Sequence, residues 1–315
     1  MPALAVLFAV LSAASNAAGT AFQRKAAAKL GRGGGLRFVL TLAHDPAWLI
    51  GIAGVTGAAL FQALALSFGA LALVQPVFVL ELPFALLIAA PLLHRRLPRA
   101  GWAGVGAVVG GLVVFLASAA PTGGTDQAPM SRWAPVLAGC LGMMAAAVLA
   151  ARHWRTPVVR AGALGSAAAV GNALTAALLK SATGTFADHG PGAFFSAWQT
   201  YGFALTGIAA VLLLENALQA GSLAVSQPAL TIGDAGVSLL LGVALFDETV
   251  RTGWWLLPEL LGLAAVIGGV LTLVRAVPHI QEVVRSRKLT SGSGRPRRRA
   301  VGAGTDQKTS FQLST

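Results

Sequence analysis

The sequence is poor in cysteine and in charge. Cys140 is the single cysteine, so no intramolecular disulfide can form. Only 11% of the 315 residues are Asp, Glu, Lys or Arg, less than half of the roughly 25% found in soluble domains. The five histidines are scattered, and nothing resembles a phosphate-binding loop, a zinc-ligand cluster or a nucleophile beside its base. We therefore expect neither an enzyme nor a bound cofactor.

Long apolar runs fill most of the chain instead. Hydrophobic residues make up 56% of it, and the mean hydropathy is +0.73. A helix needs about 20 apolar residues to cross the hydrocarbon core. Runs of that length predict nine spans, at residues 3–22, 47–68, 70–93, 101–120, 133–151, 159–180, 200–220, 222–246 and 254–276. The predicted fold is an all-α polytopic transmembrane helix bundle of nine helices, or ten if residues 36–46 also cross; His44-Asp45-Pro46 argues against the tenth.

The basic residues predict the orientation. The first apolar run lacks the positive residues that precede a secretory signal peptide's apolar core, so we favour a retained helix over a cleaved one. With nine spans, all but three of the 23 Lys and Arg residues fall on one side, which marks that side as cytoplasmic. We expect a multi-pass protein of the cytoplasmic membrane with its N-terminus outside. The three exceptions are Arg132, Lys180 and Arg251, and Lys180 is expected to extend its ammonium outward from a span end.

The formal net charge of +12 comes mainly from the inner loops and residues 278–315. This pattern indicates contact with anionic lipid headgroups rather than with nucleic acid. The tail is rich in Gly, Ser and Arg, and we predict disorder from Ser286 onward. Its basic run at residues 295–299 could also bind lipid or a partner protein.

Two parts of the chain repeat one another. Gln75-Pro76 matches Gln227-Pro228 at an offset of 152 residues, and Arg96 matches Glu248 at the same offset. At an offset of 156, Asn16 matches Asn172 and Arg24 matches Lys180; past an insertion, Gly110-Gly111 matches Gly268-Gly269. The domain 1–277 thus contains repeat one (about 1–120), a connector helix (133–151) and repeat two (about 159–277). Five helices separate equivalent starting points, so the repeats have opposite orientation, a plan that recurs in secondary transporters.

Two carboxylates lie near the middle of predicted spans. Glu81 is in span three and Asp234 in span eight, five and six residues after the matched prolines. Charge at the bilayer centre is costly, so such residues usually face protein or water. If the repeat brings them together, they could bind a cation or share a proton; if not, each is hydrogen-bonded separately within the bundle.

The matched prolines give further candidates. Each proline removes a backbone donor from a helix interior, so Gln75-Pro76 and Gln227-Pro228 are expected to form interrupted, polar segments that line a substrate site. A plain packing kink is the alternative. Asn16 and Asn172 are expected to bond across helices, with substrate contact as the alternative. Other cavity candidates are Gln62, Glu215 and Asn216.

These features resemble the drug/metabolite transporter superfamily, in its EamA-like families. The resemblance is carried by the inverted repeat, by Gln75-Pro76-Val77-Phe78 and Gln227-Pro228-Ala229-Leu230, and by Leu245-Phe246-Asp247-Glu248-Thr249. Glu248 is similar to the acid of that superfamily's Leu-Gly-Glu-Arg signature. The nine-span layout and Leu214-Glu215-Asn216-Ala217-Leu218 are most similar to the NIPA-like branch of proposed magnesium transporters. That branch has a Gly-Glu pair in span two, where this chain has Ala58-Ala59.

The resemblance implies a secondary transporter that moves a small metabolite or drug-like solute by alternating access. The first alternative is a magnesium or divalent-cation transporter that uses Glu81 and Asp234 as ligands, although the missing span-two carboxylate weakens it. The second is a non-transporting membrane scaffold that acts through the basic tail. The sequence leaves the substrate, the coupling ion and the oligomeric state open.

Overall fold

The computed structural model describes residues 2–30, 44–92, 97–154, 156–220 and 223–292. Within these ranges the chain is almost entirely helical, and the helices are α1 (Pro2–Leu30), α2 (Pro46–Phe68), α3 (Leu71–Val77), α4 (Glu81–Leu92), α5 (Arg99–Ala119), α6 (Met130–His153), α7 (Pro157–Ser196), α8 (Trp198–Ala220), α9 (Leu223–Phe246) and α10 (Leu256–Gly292). Two 3-10 segments complete the set: Phe78–Leu80 joins α3 to α4, and Gly253–Trp255 precedes α10.

The nine predicted spans are confirmed. Nine segments of the described chain are long and apolar enough to cross a membrane, with α3, Phe78–Leu80 and the first part of α4 together forming the third. Large apolar side chains cover the outside: Leu205, Leu240 and Trp254 are 71%, 68% and 92% exposed. A soluble protein rarely leaves so many large apolar side chains uncovered. The chain is a multi-pass integral membrane protein. The candidate tenth span falls mainly on residues 31–43, outside the described ranges.

Local sequence signals set several helix ends. Asp45 is the N-cap of α2, and its Oδ1 accepts a hydrogen bond from the Ala47 N–H at 2.8 Å. Pro46 follows at the first helical position, where its missing N–H costs nothing. The tripeptide His44-Asp45-Pro46 therefore starts the second span, which explains why it interrupts the apolar sequence.

Two helices extend beyond their predicted ends. Helix α7 continues from the predicted end at residue 180 to Ser196, with a break at Gly190, whose φ of 78° lies in the region that favours glycine. Helix α10 continues to Gly292, although the composition predicted disorder from Ser286. The rest of the predicted disordered tail, residues 293–315, is outside the described chain. Contacts divide the protein into two compact units, Met1–Val277 and Pro278–Thr315.

The two matched prolines have different outcomes. After Pro76 the helix tightens: α3 ends at Val77, and the chain passes through a 3-10 turn with right-handed helical backbone angles before α4 begins. At Pro228 the chain stays within one helix, because α9 runs from Leu223 to Phe246 with the proline inside it. Pro76 and Pro228 each occupy the sixth position of their helix, so distance from the helix start does not explain the difference.

The helix pairings repeat between the halves. Helix α1 packs most extensively on α2 and also on α3 and α4, while α7 packs most extensively on α8 and then on α9. Span one therefore contacts spans two and three, as span six contacts spans seven and eight. The first pair is joined by hydroxyl bonds, from Ser12 Oγ to the Ala58 carbonyl at 2.6 Å and from Ser15 Oγ to the Gly54 carbonyl at 2.8 Å.

A reciprocal contact between α5 and α10 shows the symmetry most directly. A Cβ added to Gly111 would lie 2.7 Å from the Gly262 carbonyl oxygen, and one added to Gly262 would lie 2.7 Å from the Gly111 carbonyl oxygen. Gly104 and Gly269 oppose each other in the same way, at 3.2 and 2.9 Å. In the repeat Gly104 matches Gly262 and Gly111 matches Gly269. Gly111 thus contacts Gly262, and their matched residues Gly269 and Gly104 contact each other. A two-fold axis relates contacts in this way.

Candidate functional site

Several helix ends of the first unit meet around one cavity. The start of α1, the end of α2, the start of α3 and the loop after α5 border a space of about 310 Å³. We call this the N-terminal end of the bundle, because α1 begins there. Its lining includes apolar side chains, backbone and two charged groups, Asp126 and Lys180.

A buried ion pair lies at this end. The Lys180 Nζ of α7 is 2.7 Å from the Glu248 Oε1 that follows α9. The side chains are 2% and 0% exposed. Removing a carboxylate and an ammonium from water is costly, and the pair is tolerated only where other groups complete its hydrogen bonds. Those groups come from the other repeat.

The carboxylate of Glu248 caps α3. It accepts hydrogen bonds from the backbone N–H groups of Leu71, at 2.5 Å, and of Ala72, at 2.9 Å. The first N–H groups of a helix have no partner within the helix, and the N-cap residue Ala70 has no side chain to supply one. Glu248 of repeat two therefore completes a helix of repeat one, and its negative charge suits the positive end of that helix.

The C-terminal turn of α9 places Glu248. Asp247 has a φ of 52°, and the Glu248 N–H donates to the Gly242 carbonyl at 3.1 Å. Asp247 takes the left-handed position that glycine usually occupies after a helix end, and the Glu248 bond spans one residue more than the corresponding bond of a Schellman turn. The turn folds Glu248 back onto its own helix, and a Cβ at Gly242 would overlap the Glu248 carboxylate. Glycine at this position leaves space for the carboxylate.

The loop of residues 120–129, after α5, covers the ion pair. Thr122 and Thr249 exchange backbone hydrogen bonds at 3.0 and 2.9 Å, and the Thr125 N–H donates to the Phe246 carbonyl at 2.7 Å. Gln127 binds α7 on the other side, donating to the Ser181 carbonyl and to Thr185 Oγ1, both at 2.9 Å. The 120–129 loop thus ties repeat one to two helices of repeat two.

Lys180 has two further neighbours. Its ammonium is 4.8 Å from the centre of the Phe246 ring, within the range of a cation–π contact. It is also 4.0 Å from Asp126 Oδ1, which is an ion pair without a direct hydrogen bond. Burial raises the pKa of Asp126 above its usual 3.8; Lys180 lowers it, and Asp188 and Glu248 raise it further. The ionised form of Asp126 is therefore only partly compensated.

The predicted carboxylate pair remains a prediction. Glu81 begins α4 and is half-buried, and α4 packs mainly on α1. Asp234 lies in α9, which packs mainly on α7, and Ser238 Oγ one turn later donates to Asp234 Oδ1 at 3.3 Å. Their main packing partners thus belong to different repeats.

The other predicted site residues are distributed over several surfaces. Gln75 and Pro76 are buried in α3, directly along the helix that Glu248 caps. Glu215 and Asn216 are exposed on α8, where Asn216 Nδ2 donates to the Leu212 carbonyl of its own helix. The remaining candidates are half-buried, namely Asn16, Gln62, Asn172, Gln227 and Pro228.

Sequence reasoning did not find the ion pair. The prediction that Lys180 extends its ammonium outward is wrong, because the side chain is 2% exposed and bonded to Glu248. Glu248 itself was noticed only through its likeness to a family signature. One signal could have found both: the repeat pairs Lys180 with Arg24 and Glu248 with Arg96, so each is a charged residue at a matched position.

The charged residues do not suggest a metal centre. Among the described residues, no three His, Cys, Asp or Glu side chains converge in a way that could hold a metal ion. The nearest acids at the N-terminal end, Asp126 and Glu248, share their space with the Lys180 ammonium. An ammonium already occupies the place where a cation would bind between them.

No protein-family model matches the chain. No solved structure matches it. The chain is similar to a protein of Corynebacterium glutamicum named "Uncharacterized protein Cgl0250/cg0304", with 32% identity over 256 residues. The match covers 80% of this chain and 88% of that protein.

Proposed function

We propose that this chain, which belongs to the family of the Corynebacterium glutamicum protein Cgl0250/cg0304, is a secondary transporter that moves a small metabolite or drug-like solute by alternating access. The observation that carries the proposal is the cross-repeat bond of Glu248, which holds α7 of one half and α3 of the other. In transporters built from inverted repeats, one repeat rocks against the other around a central site. Such a motion must break any contact that joins the two repeats and closes one end of the bundle.

The buried ion pair of Lys180 and Glu248 suits a gate that opens and closes better than a permanent contact between the repeats. A buried ion pair gains little net stability, because the desolvation of both charges offsets their attraction. It is nevertheless specific, since neither charge tolerates the loss of its partner. If water enters the N-terminal end, both groups are solvated and the pair can separate at low cost.

The closure is coupled to the segment predicted to line the substrate site. Helix α3 is only seven residues long, with Glu248 bonded to its start and the 3-10 turn after Pro76 at its end. Release of Glu248 would free the start of α3, and the 3-10 turn after Pro76 provides a hinge. We infer that Gln75 moves with the gate.

The ion pair is not duplicated in repeat one. In the sequence, the positions that match Lys180 and Glu248 are Arg24 and Arg96, two bases that cannot pair with each other.

The basic loops favour an N-terminal end that faces outside the cell, so the gate would be the outer one. Glu81 and Asp234 remain our candidates for coupling acids. The divalent-cation alternative is less favoured, because an ammonium lies between the acids of the N-terminal end and the described residues hold no convergent ligand set. The resemblance to the drug/metabolite transporter superfamily supports solute transport but does not select the solute.

Transport by the purified protein in liposomes tests the proposal. We expect uptake of at least one labelled solute from a metabolite panel under an imposed proton or sodium gradient. The double variant Glu81→Gln/Asp234→Asn should abolish coupled uptake if these acids serve coupling. Truncation after residue 277 should spare uptake, whereas a scaffold that acts through the tail would lose its role. A monodisperse, folded protein that moves neither a solute nor a divalent cation would rule out both transport functions.

A further inference from the structure

The cavity at the N-terminal end presents two opposite charges side by side. Lys180 and Asp126 both line it, with 4.0 Å between Nζ and Oδ1. That separation is too long for a direct hydrogen bond, so each group retains capacity for another partner. Among the described residues, one hydrogen bond of the Lys180 ammonium is recorded, to Glu248. The ammonium carries three donors.

The rest of the cavity is small and partly apolar. Its volume of about 310 Å³ is at the lower end of the range for ligand pockets. Phe68, Leu73 and Pro121 provide apolar walls, and Ser67 and Thr122 add hydroxyl groups. This combination suits a compact solute with one polar, charged end and one apolar end.

The local charges select among such solutes. A solute with only a carboxylate would face Asp126 and Glu248 as well as Lys180, so repulsion would exceed attraction. A solute with only an ammonium would meet Asp126 but would lie close to the Lys180 charge. A solute that carries both groups can place each beside its opposite, and each attraction then offsets the neighbouring repulsion. The raised pKa of Asp126 agrees with this, because its ionised form lacks full compensation.

We propose that the cavity at the N-terminal end binds a small zwitterion, a solute with an ammonium and a carboxylate on the same or adjacent carbons, whose ammonium binds Asp126 and whose carboxylate binds Lys180. The assignment rests on the proposed transport function and deepens it, since it names the substrate class at the gate. A solute carboxylate bound to Lys180 would compete with Glu248 for the same ammonium. Binding would therefore weaken the contact that closes this end.

Three matched probes test the charge requirement on the full-length protein in detergent. L-Leucine carries both groups, isoamylamine is the same skeleton without the carboxylate, and 4-methylpentanoate lacks the ammonium. Titration calorimetry should give leucine an affinity about tenfold or more above either analogue, because each analogue lacks one of the two charge-assisted hydrogen bonds. If either analogue binds as tightly as leucine, or if leucine does not bind, the zwitterion site is refuted.

A pair of aspartate variants tests the location. Asp126→Asn should weaken leucine binding about tenfold and should shift the preference toward 4-methylpentanoate, whereas Asp126→Glu should retain leucine binding. Asp247→Asn is the control: Asp247 is an exposed carboxylate at the same end, paired with Arg132 at 2.6 Å, and it does not line the cavity. Equal effects of Asp126→Asn and Asp247→Asn would contradict the site.

The test separates this inference from the proposed function. Leucine binding without transport of any solute in liposomes would leave the site standing and remove the transporter. Transport of other solutes without leucine binding would remove the site and leave the transporter. Asp126 and Asp247 are both exposed, so a monodisperse gel-filtration profile and a single cooperative melting transition can be required of each variant before binding is compared.

Discussion

At the residue scale, the molecule depends on a few polar groups placed where they must find partners. Glu248 satisfies three donors at once, two backbone N–H groups of α3 and the ammonium of Lys180. Either residue alone would leave a buried charge. The stability of the N-terminal end therefore depends on the pair and not on the separate residues.

Substitution of one member should destabilise more than substitution of both. We expect Lys180→Met to lower the unfolding free energy by about 3 kcal/mol, because Glu248 would keep a buried charge without its cation. The double variant Lys180→Met/Glu248→Gln should recover at least half of that loss. Melting temperatures of the detergent-solubilised variants measure the cycle. Additive losses in the double variant would show that the two side chains do not interact.

Asp126 predicts a dependence on pH. Its pKa in the folded protein is raised above 3.8, so ionisation costs more in the folded than in the unfolded chain. The penalty is absent below the unfolded pKa and complete above the folded one. Asp126→Asn should therefore raise the melting temperature at about pH 8 by a small amount, about 1 °C, and leave it unchanged near about pH 2.5. A larger gain in acid than in base would contradict this sign.

At the element scale, glycines decide how closely helices approach. Helices α5 and α10 meet at Gly104, Gly111, Gly262 and Gly269, where any Cβ would press on the opposite helix. The adjacent glycines Gly110 and Gly268 have no atom within 4 Å of their Cβ positions. Each Gly-Gly pair of the repeat thus contains one glycine that packs against the opposite helix and one whose Cβ position has no neighbouring atom.

The adjacent glycines Gly110 and Gly111 of α5 provide a matched comparison. Gly111→Ala should destabilise by about 1–3 kcal/mol, because its methyl group would lie 2.7 Å from the Gly262 carbonyl. Gly110→Ala should be neutral or stabilising by up to about 1 kcal/mol, since alanine favours the helix. Thermal unfolding of the two variants separates the effects. Similar losses at both positions would show that α5 and α10 do not meet through this face.

A second comparison lies within α9. Gly242→Ala would place a methyl group against the Glu248 carboxylate and should displace it from α3, with a loss of about 1–3 kcal/mol. Gly236→Ala, on the same helix, meets nothing within 4 Å and should be tolerated. Hydrogen exchange of the Leu71 and Ala72 amides reports the cap directly. Unchanged protection in Gly242→Ala would argue against the role assigned to this glycine.

At the scale of the whole molecule, α5 and α10 meet through a reciprocal contact, but the N-terminal end is closed by Lys180 and Glu248, whose matched positions hold Arg24 and Arg96. The contact of Thr122 with Thr249 joins the loop after α5 to the chain after α9, and so it spans the two repeats at the N-terminal end. Opposed residues that exchange both backbone bonds have Cα atoms about 5.5 Å apart. That separation suits a disulfide.

A cross-link at this contact should stop transport. In a Cys140→Ser background, the variant Thr122→Cys/Thr249→Cys should lose solute uptake about tenfold or more on oxidation, because opening of the end would require the disulfide to break. A reducing agent should restore uptake, and the single variant Thr249→Cys should be insensitive to oxidation. Full uptake by the completely cross-linked protein would show that this end does not open during transport.

The sequence by itself determined the nine spans. They follow from rules that the membrane imposes on any chain: about 20 apolar residues for each crossing, and helical pairing of every backbone group in hydrocarbon. The glycines of α5 and α10 were recognisable as packing residues because small residues let membrane helices approach closely. An irregularity at Pro76 was predictable because proline removes a backbone donor.

Only the tertiary structure decided what the polar residues do. Lys180 near a span end can reach water or turn inward, and the choice depends on Glu248, which is 68 residues away in the chain. The identical Gln-Pro pairs have different surroundings: a 3-10 turn follows Pro76, whereas α9 continues past Pro228 to Phe246. A polar group in a membrane protein takes the partner that the packed helices bring to it, and a sequence pattern does not contain that distance.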